Sequence, residues 1–172
     1  YSSPVLLTEN TTLKARVRSA NNVWSALNET EFVLIQTWTD VLITELMYHP
    51  PDAEGVDGED LEFIELKNVG GAERDLGGLS FTNGVRFTFP HGTRLAPGKF
   101  VVLASQELTF TNRYPGVPVF GVFSGKLANT GERVTLIHAA GAVLSDFTWS
   151  DTAPWPVAAD GDGFSLVTRN PN

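Results

Sequence analysis

The 172-residue sequence predicts an all-β protein whose main part is a β-sandwich, and three observations predict it. Apolar and polar residues alternate with period two in many short segments, and no segment sustains a 3.6-residue apolar period. The segments are divided by turns drawn from sixteen glycines, ten prolines and several asparagines, as short-stranded folds require. With 42% hydrophobic and 10% aromatic residues the chain has enough apolar side chain to fill a core. Its 19% charged residues and mean hydropathy of −0.04 mark a soluble globular chain rather than a disordered one.

The elements follow in order. Leu13, Ala15 and Val17 alternate with Lys14, Arg16 and Arg18, which predicts a half-buried strand. Asn21-Asn22 turns the chain, and residues 32–37 form the next strand. Residues 24–34 come nearest to a helical pattern, but Trp24, Thr30, Phe32, Val33 and Ile35 favour strand and Asn28 interrupts it. Trp38-Thr39-Asp40 reads as a short linker, so the chain divides into a segment 1–38 and a domain 39–172. Residues 41–48 form a strong strand closed by His49-Pro50-Pro51, and an acidic loop with Gly55 and Gly58 runs over 52–60. In the strand at 61–66, Leu61, Phe63 and Glu65 point one way and Glu62, Ile64 and Leu66 the other.

Residues 68–71 turn the chain, and the strands 76–82 and 86–89 are divided by Asn83-Gly84, a strong tight-turn pair. Pro90-His91-Gly92 and Ala96-Pro97-Gly98 bracket another turn-rich stretch before a buried strand at 99–104. Residues 133–138 and 143–148 make a hairpin around 139–142, and 164–168 supply a last strand. Ile43, Phe63, Leu66, Phe87, Phe89, Val101, Leu103, Leu136, Phe147 and Leu166 are the expected inner faces of two layers about 10 Å apart.

Composition excludes several classes. A net charge of −8 disfavours general binding to a phosphate backbone; Arg16 and Arg18, on one strand face, are the most basic feature and read as solvated. The absence of cysteine removes disulfides, zinc-thiolate sites and thiol nucleophiles. No apolar run approaches the roughly 18 residues of a membrane span, and no signal peptide is present. The strand-like start at Tyr1 is read as a piece of something longer, with any export signal outside it.

Two family resemblances emerge from these segments. Leu42-Ile43-Thr44-Glu45-Leu46-Met47-Tyr48-His49-Pro50-Pro51 and Asp60-Leu61-Glu62-Phe63-Ile64-Glu65-Leu66-Lys67-Asn68 are followed by Asp75-Leu76-Gly77-Gly78-Leu79 and Phe87-Thr88-Phe89-Pro90. Leu95-Ala96-Pro97-Gly98-Lys99, Trp155-Pro156 and Asp160-Gly161-Asp162-Gly163-Phe164-Ser165-Leu166 complete the order. Over about residues 40–169 this series resembles the lamin tail domain in its bacterial form. That resemblance implies an immunoglobulin-like sandwich without enzymatic activity, set in a large exported protein. In animals the fold serves binding to proteins, DNA or chromatin. Leu7-Thr8-Glu9-Asn10-Thr11-Thr12-Leu13-Lys14-Ala15-Arg16, with Trp24-Ser25 and Glu31-Phe32, resembles the last strands of a chitobiase/β-hexosaminidase C-terminal β-domain, implying an N-terminal partial β-sandwich segment.

Candidate sites are weighed against plainer roles. Asp52, Glu54, Asp57, Glu59 and Asp60 give the density of hard oxygens that Ca²⁺ takes, without EF-hand spacing; the plainer role is a solvated loop. Asp160-Gly161-Asp162-Gly163 resembles a calcium turn, but the lamin-tail resemblance implies a structural turn there. No other cofactor is expected. Glu45, Glu62 and Glu65 invite a glycosidase reading, yet Glu62 and Glu65 lie on opposite faces of one strand, and only Glu45 and Glu65 can meet across strands. His49, His91 and His138 have no neighbour at ligand spacing, and no nucleophile-elbow sequence supports a triad, so no catalytic residue is assigned. Trp149 and Trp155 flank a loop and form a candidate sugar-stacking pair if exposed, with Trp24 and Trp38 earlier in the chain; the lamin-tail resemblance implies instead that the tryptophan beside Pro156 packs on the end of the sandwich. Asn10-Thr11-Thr12 and Asn28-Glu29-Thr30 fit the glycosylation sequon, which matters only in a secreted eukaryotic chain.

The sequence therefore predicts a non-catalytic interaction module of an extracellular or cell-surface bacterial protein. Its expected partners are neighbouring domains of the parent or a protein ligand. The alternative is a carbohydrate-binding accessory domain of a secreted enzyme, with a glycan as ligand.

Overall fold

The structure is a computed structural model that describes residues 3–8, 10–34, 38–53 and 55–169. The chain divides into two compact units, Tyr1–Gln36 and Thr37–Asn172.

The first unit is a ribbon of β1 (Thr11–Ala15) and β2 (Asn28–Phe32), paired antiparallel with Leu13 opposite Thr30. Asn22, at φ 63°, closes a turn in which its N–H donates to the Ser19 carbonyl at 3.0 Å. That turn sets the register, so β1 finds its partner upstream of the expected strand at 32–37; residues 35–37 lie outside the described residues. The expectation of a half-buried strand is corrected. Leu13 is 38% and Val17 71% exposed, because the described residues of this unit contain no second layer to cover the apolar face. Cross-strand contacts hold the ribbon instead: Lys14 pairs with Glu29 at 2.9 Å, and Arg16 lies 4.2 Å above the Trp24 ring.

The second unit contains β3 (Val41–Met47), β4 (Phe63–Asn68), β5 (Arg74–Asp75), β6 (Ser80–Asn83), β7 (Val85–Thr88), β8 (Arg94–Leu95) and β9 (Phe100–Ala104). After α1 (Glu107–Arg113) come β10 (Val119–Val122), β11 (Ser124–Gly125), β12 (Arg133–Ile137), β13 (Val143–Thr148) and β14 (Leu166–Val167). One five-stranded sheet runs β10-β9-β4-β3-β14 and the other β11-β7-β6-β12-β13, with β5 and β8 as a small separate pair. Their inner faces meet in one core that includes Ile64, Leu66 and Leu103 from the first sheet and Phe81, Val134 and Leu136 from the second. The predicted β-sandwich is present.

A bulge phases β3. Ile43 pairs with Leu66 and Glu45 with Glu65, so Thr44 is the extra residue. Val41 and Ile43 before it, and Leu46 and Tyr48 after it, all reach the same core, which strict alternation would forbid. Met47 is thereby turned to the outer face, where it joins Phe63, Val102, Ala104 and Phe110 in a second cluster. Phe63 was expected on the inner face and lies on the outer one, since its neighbour Ile64 takes the inner position.

That second cluster exists because of α1, a helix absent from the sequence expectations. β9 and β10 are parallel neighbours, so the chain between them must cross over, and α1 is that crossover. The Gln106 side chain caps it by accepting from the N–H groups of Leu108 (2.7 Å) and Thr109 (3.2 Å). Phe110 is its buried residue, edge-on to Phe63 at 5.4 Å.

The reading of Trp38-Thr39-Asp40 as a linker is also corrected. Trp38 is buried in the sandwich core, donates its indole N–H to the Asp75 carbonyl at 3.1 Å and stacks 4.3 Å from His138. Asp40 takes both Nε (2.9 Å) and Nη2 (2.6 Å) of Arg74, and this guanidinium holds the Asp40 carboxyl below its usual range. The segment anchors the domain.

Candidate functional site

Two cavities concentrate the features that a partner or ligand can use. The first is a half-open groove of about 290 Å³ along the side of the sandwich. It opens where β14, only two residues long, pairs with Glu45 and Leu46 of β3. Thr168 continues the contact to the Thr44 (2.9 Å) and Ile43 (2.7 Å) carbonyls, and among the described residues no strand pairs with Val41 and Leu42 on that edge. Val41, Ile43, Leu46, Leu144, Phe147 and Trp155 line it, so its surface is mainly apolar. Trp155 is half-buried, with one part packed on the core and the rest on the groove.

Trp149, paired with Trp155 in the expected sugar platform, is placed elsewhere. It is 1% exposed in the core, beside Tyr48 at 5.8 Å, and presents no face to a sugar ring. The reason is register: Trp149 follows β13 directly and its N–H continues the ladder to the Glu132 carbonyl at 3.1 Å, which holds the side chain inward. Of the other tryptophans, Trp38 is core, and Trp24 is 48% exposed but has the Arg16 guanidinium over its ring.

The second cavity, about 360 Å³, forms where β3 ends and the acidic loop begins. Asp52, Asp57, Glu59 and Asn129 stand around it, and Tyr48 and Glu62 lie fully buried beneath. The loop carboxylates mostly serve the loop itself. Asp52 accepts from the Gly58 N–H at 2.8 Å, Asp57 caps the 3-10 turn Gly58–Leu61 by accepting from the Glu59 N–H at 3.0 Å, and Glu59 pairs with Lys126. Asp60 is exposed, and Glu54 lies outside the described residues. Among the described residues, no three His, Asp or Glu side chains gather as metal ligands. Near the rim, Asp160 is hydrogen-bonded to His49 Nδ1 at 2.6 Å and Gly161 donates to the His49 carbonyl at 3.1 Å, so the Asp160-Gly161-Asp162-Gly163 turn is stitched to the end of β3.

Glu62 is the residue that sequence reasoning undervalued. It precedes β4 in phase with Ile64 and Leu66, so it is carried inward with them. Its Oε2 accepts from the Leu127 N–H at 3.0 Å, while Oε1 has no hydrogen-bond partner. Burial raises its pKa to about 7, against the lowering by the Leu127 N–H and with added repulsion from Glu132 and Asp57. The signal was present in the inward parity of Glu62, a carboxylate sharing a face with two core aliphatics.

The remaining candidates are dispersed. Glu45 and Glu65 do meet as a cross-strand pair, but each carboxylate is engaged by a hydroxyl, Ser165 Oγ for Glu45 and Thr44 Oγ1 for Glu65. His91 is exposed, and buried His138 accepts the Ala140 N–H at Nδ1 (3.2 Å), which places its ring proton on Nε2.

Comparison with known proteins adds the family. A search of curated proteins returns no match for the chain. The family profile of the lamin tail domain matches residues 36–151, well over half of the chain and nearly all of the sandwich strands. The chain belongs to the lamin tail domain family.

Proposed function

We propose that this chain is a non-catalytic contact module of a larger exported or cell-surface bacterial protein, and that the groove beside β3, β13 and β14 receives a neighbouring domain or a protein partner. Lamin tail domains are immunoglobulin-like interaction modules, and the observation that carries the reading here is the groove itself. A mainly apolar recess next to an incompletely covered edge strand offers both terms of protein recognition. Burying its apolar surface is favourable by about 25 cal/mol per Å², and the short stretch of β3 edge at Val41 and Leu42, unpaired among the described residues, is able to accept main-chain pairing. The engagement of Glu45 and Glu65 by hydroxyls, and the dispersal of the three histidines, support a role without catalysis. The resemblance of residues 1–38 to an accessory β-domain supports a multidomain parent.

Hydroxyl-radical footprinting tests the groove. Trp155 and Phe147 are expected to be oxidised several-fold more slowly in the parent protein than in the isolated chain, and Leu144→Lys is expected to remove that protection. Equal oxidation in both settings would defeat the reading. Glycan-array binding lost on Trp155→Ala would replace it with the carbohydrate-binding alternative.

A further inference from the structure

The acidic cavity at the end of β3 contains an imbalance that the fold leaves uncorrected. Glu62 and Tyr48 both line it, both are fully buried, and each keeps an oxygen without a hydrogen-bond partner, Oε1 of Glu62 and the Tyr48 hydroxyl. Buried polar atoms are rarely left so: a carboxylate Oε1 calls for a donor, and the Tyr48 hydroxyl, a donor itself, has an oxygen able to accept one as well. Around them stand Asp52, Asp57 and Glu59, together with the Asn129 amide, so the donor should also carry positive charge. The nearby cation Lys126 is already held by Glu59.

The arrangement narrows the kind of cation. Ca²⁺ needs six to eight oxygens converging on one point. No three acidic or histidine side chains converge in that way among the described residues. A lysine ammonium or an arginine guanidinium instead spreads three or five N–H donors over separate acceptors. We infer that this cavity seats a basic side chain, lysine or arginine, presented by a protein partner. The inference rests on the reading of the chain as a protein-contact module and adds a charged anchor distinct from the apolar groove.

The pH dependence follows from the groups that face Glu62. Asp57 and Glu132 repel its charge, Asp52 and Glu59 share the cavity, Lys126 is paired with Glu59, and His49 sits at the rim with Asp160. With the cavity empty, Glu62 holds its proton to about pH 7. A bound cation favours the carboxylate, so binding releases that proton and weakens as pH falls, by up to about tenfold per unit.

The test is a titration of the chain with N-acetyl-lysine amide and, in a second arm, N-acetyl-arginine amide, with uncharged N-acetyl-norleucine amide as control. The Leu127 backbone amide, which donates to Glu62, reports occupancy by NMR. The expected result is a saturable shift with one or both basic probes and none with the control. Binding should be about fivefold or more weaker at pH 6 than at pH 8, and absent in Glu62→Gln. If that variant fails to fold, Asp57→Asn, which keeps the capping oxygen, is expected to weaken binding several-fold. No saturable shift at pH 8, an equal response to norleucine amide, or a Leu127 shift driven by CaCl₂ in place of both basic probes would overturn the inference. Trp155 protection is read at a different place, so loss of this site leaves the groove reading standing and the reverse holds too.

Discussion

The ribbon at the start of the chain and β4 in the sandwich carry the same kind of pattern and meet different fates. Leu13, Ala15 and Val17 alternate with charged residues as cleanly as Ile64 and Leu66 alternate with Phe63, Glu65 and Lys67. In β4 both faces are covered, Ile64 and Leu66 by the opposite sheet and Phe63 by α1. In β1 the apolar face stays largely in solvent. Alternation creates a face able to be buried, and only a second layer buries it.

Three measurements sharpen this contrast. The largest effect belongs to the core. Leu103→Ala is expected to cost about 2–5 kcal/mol, because Leu103 is fully enclosed and its loss leaves a cavity. Leu13→Ala should cost under about 0.5 kcal/mol. Urea midpoints that moved equally for both would break the distinction.

Next comes pH. Glu62 has a folded pKa near 7 against an ordinary 4.5, so between those values the folded state holds a proton that the unfolded state has lost. Its contribution is full below about pH 4.5 and disappears as pH rises to about 7, a change on the order of 3 kcal/mol. Thermal melts of Glu62→Gln should lack this component while the wild type shows it; identical pH profiles would mean that the carboxyl is not held in the protonated state. The smallest effect is in the ribbon. Trp24→Ala removes the Arg16 contact and should lower local protection of the β1–β2 amides by about 0.5–1 kcal/mol in hydrogen exchange, with the sandwich amides unchanged.

Much of the architecture was legible because period-two segments and turn residues report directly on backbone geometry. The hairpin at 133–148 and the Asn83-Gly84 turn, with Gly84 at φ 78°, follow from local chemistry alone. What escaped depends on contacts distant in sequence. Helix α1 is seven residues with one buried side chain, too short to display a period, and it follows from β9 and β10 being parallel. Trp38 and Trp149 have neighbours that look like loop, and only the closed sandwich shows them as core. At the sites, the Glu45–Glu65 meeting followed from strand order, whereas the unpaired Glu62 oxygen depends on where Leu127 docks, 65 residues away.

The bulge at Thr44 has a consequence for how this strand can change. It acts as a one-residue frame shift written into β3, letting its first half and its second half address the same interior from opposite parities. Removing that residue would not merely shorten the strand: Leu46 and Tyr48 would swap places with Met47, and the aromatic that underlies the acidic cavity would rotate toward the outer face. An insertion or deletion here therefore rewires both sides of the sheet at once, so substitutions are the changes this strand can absorb.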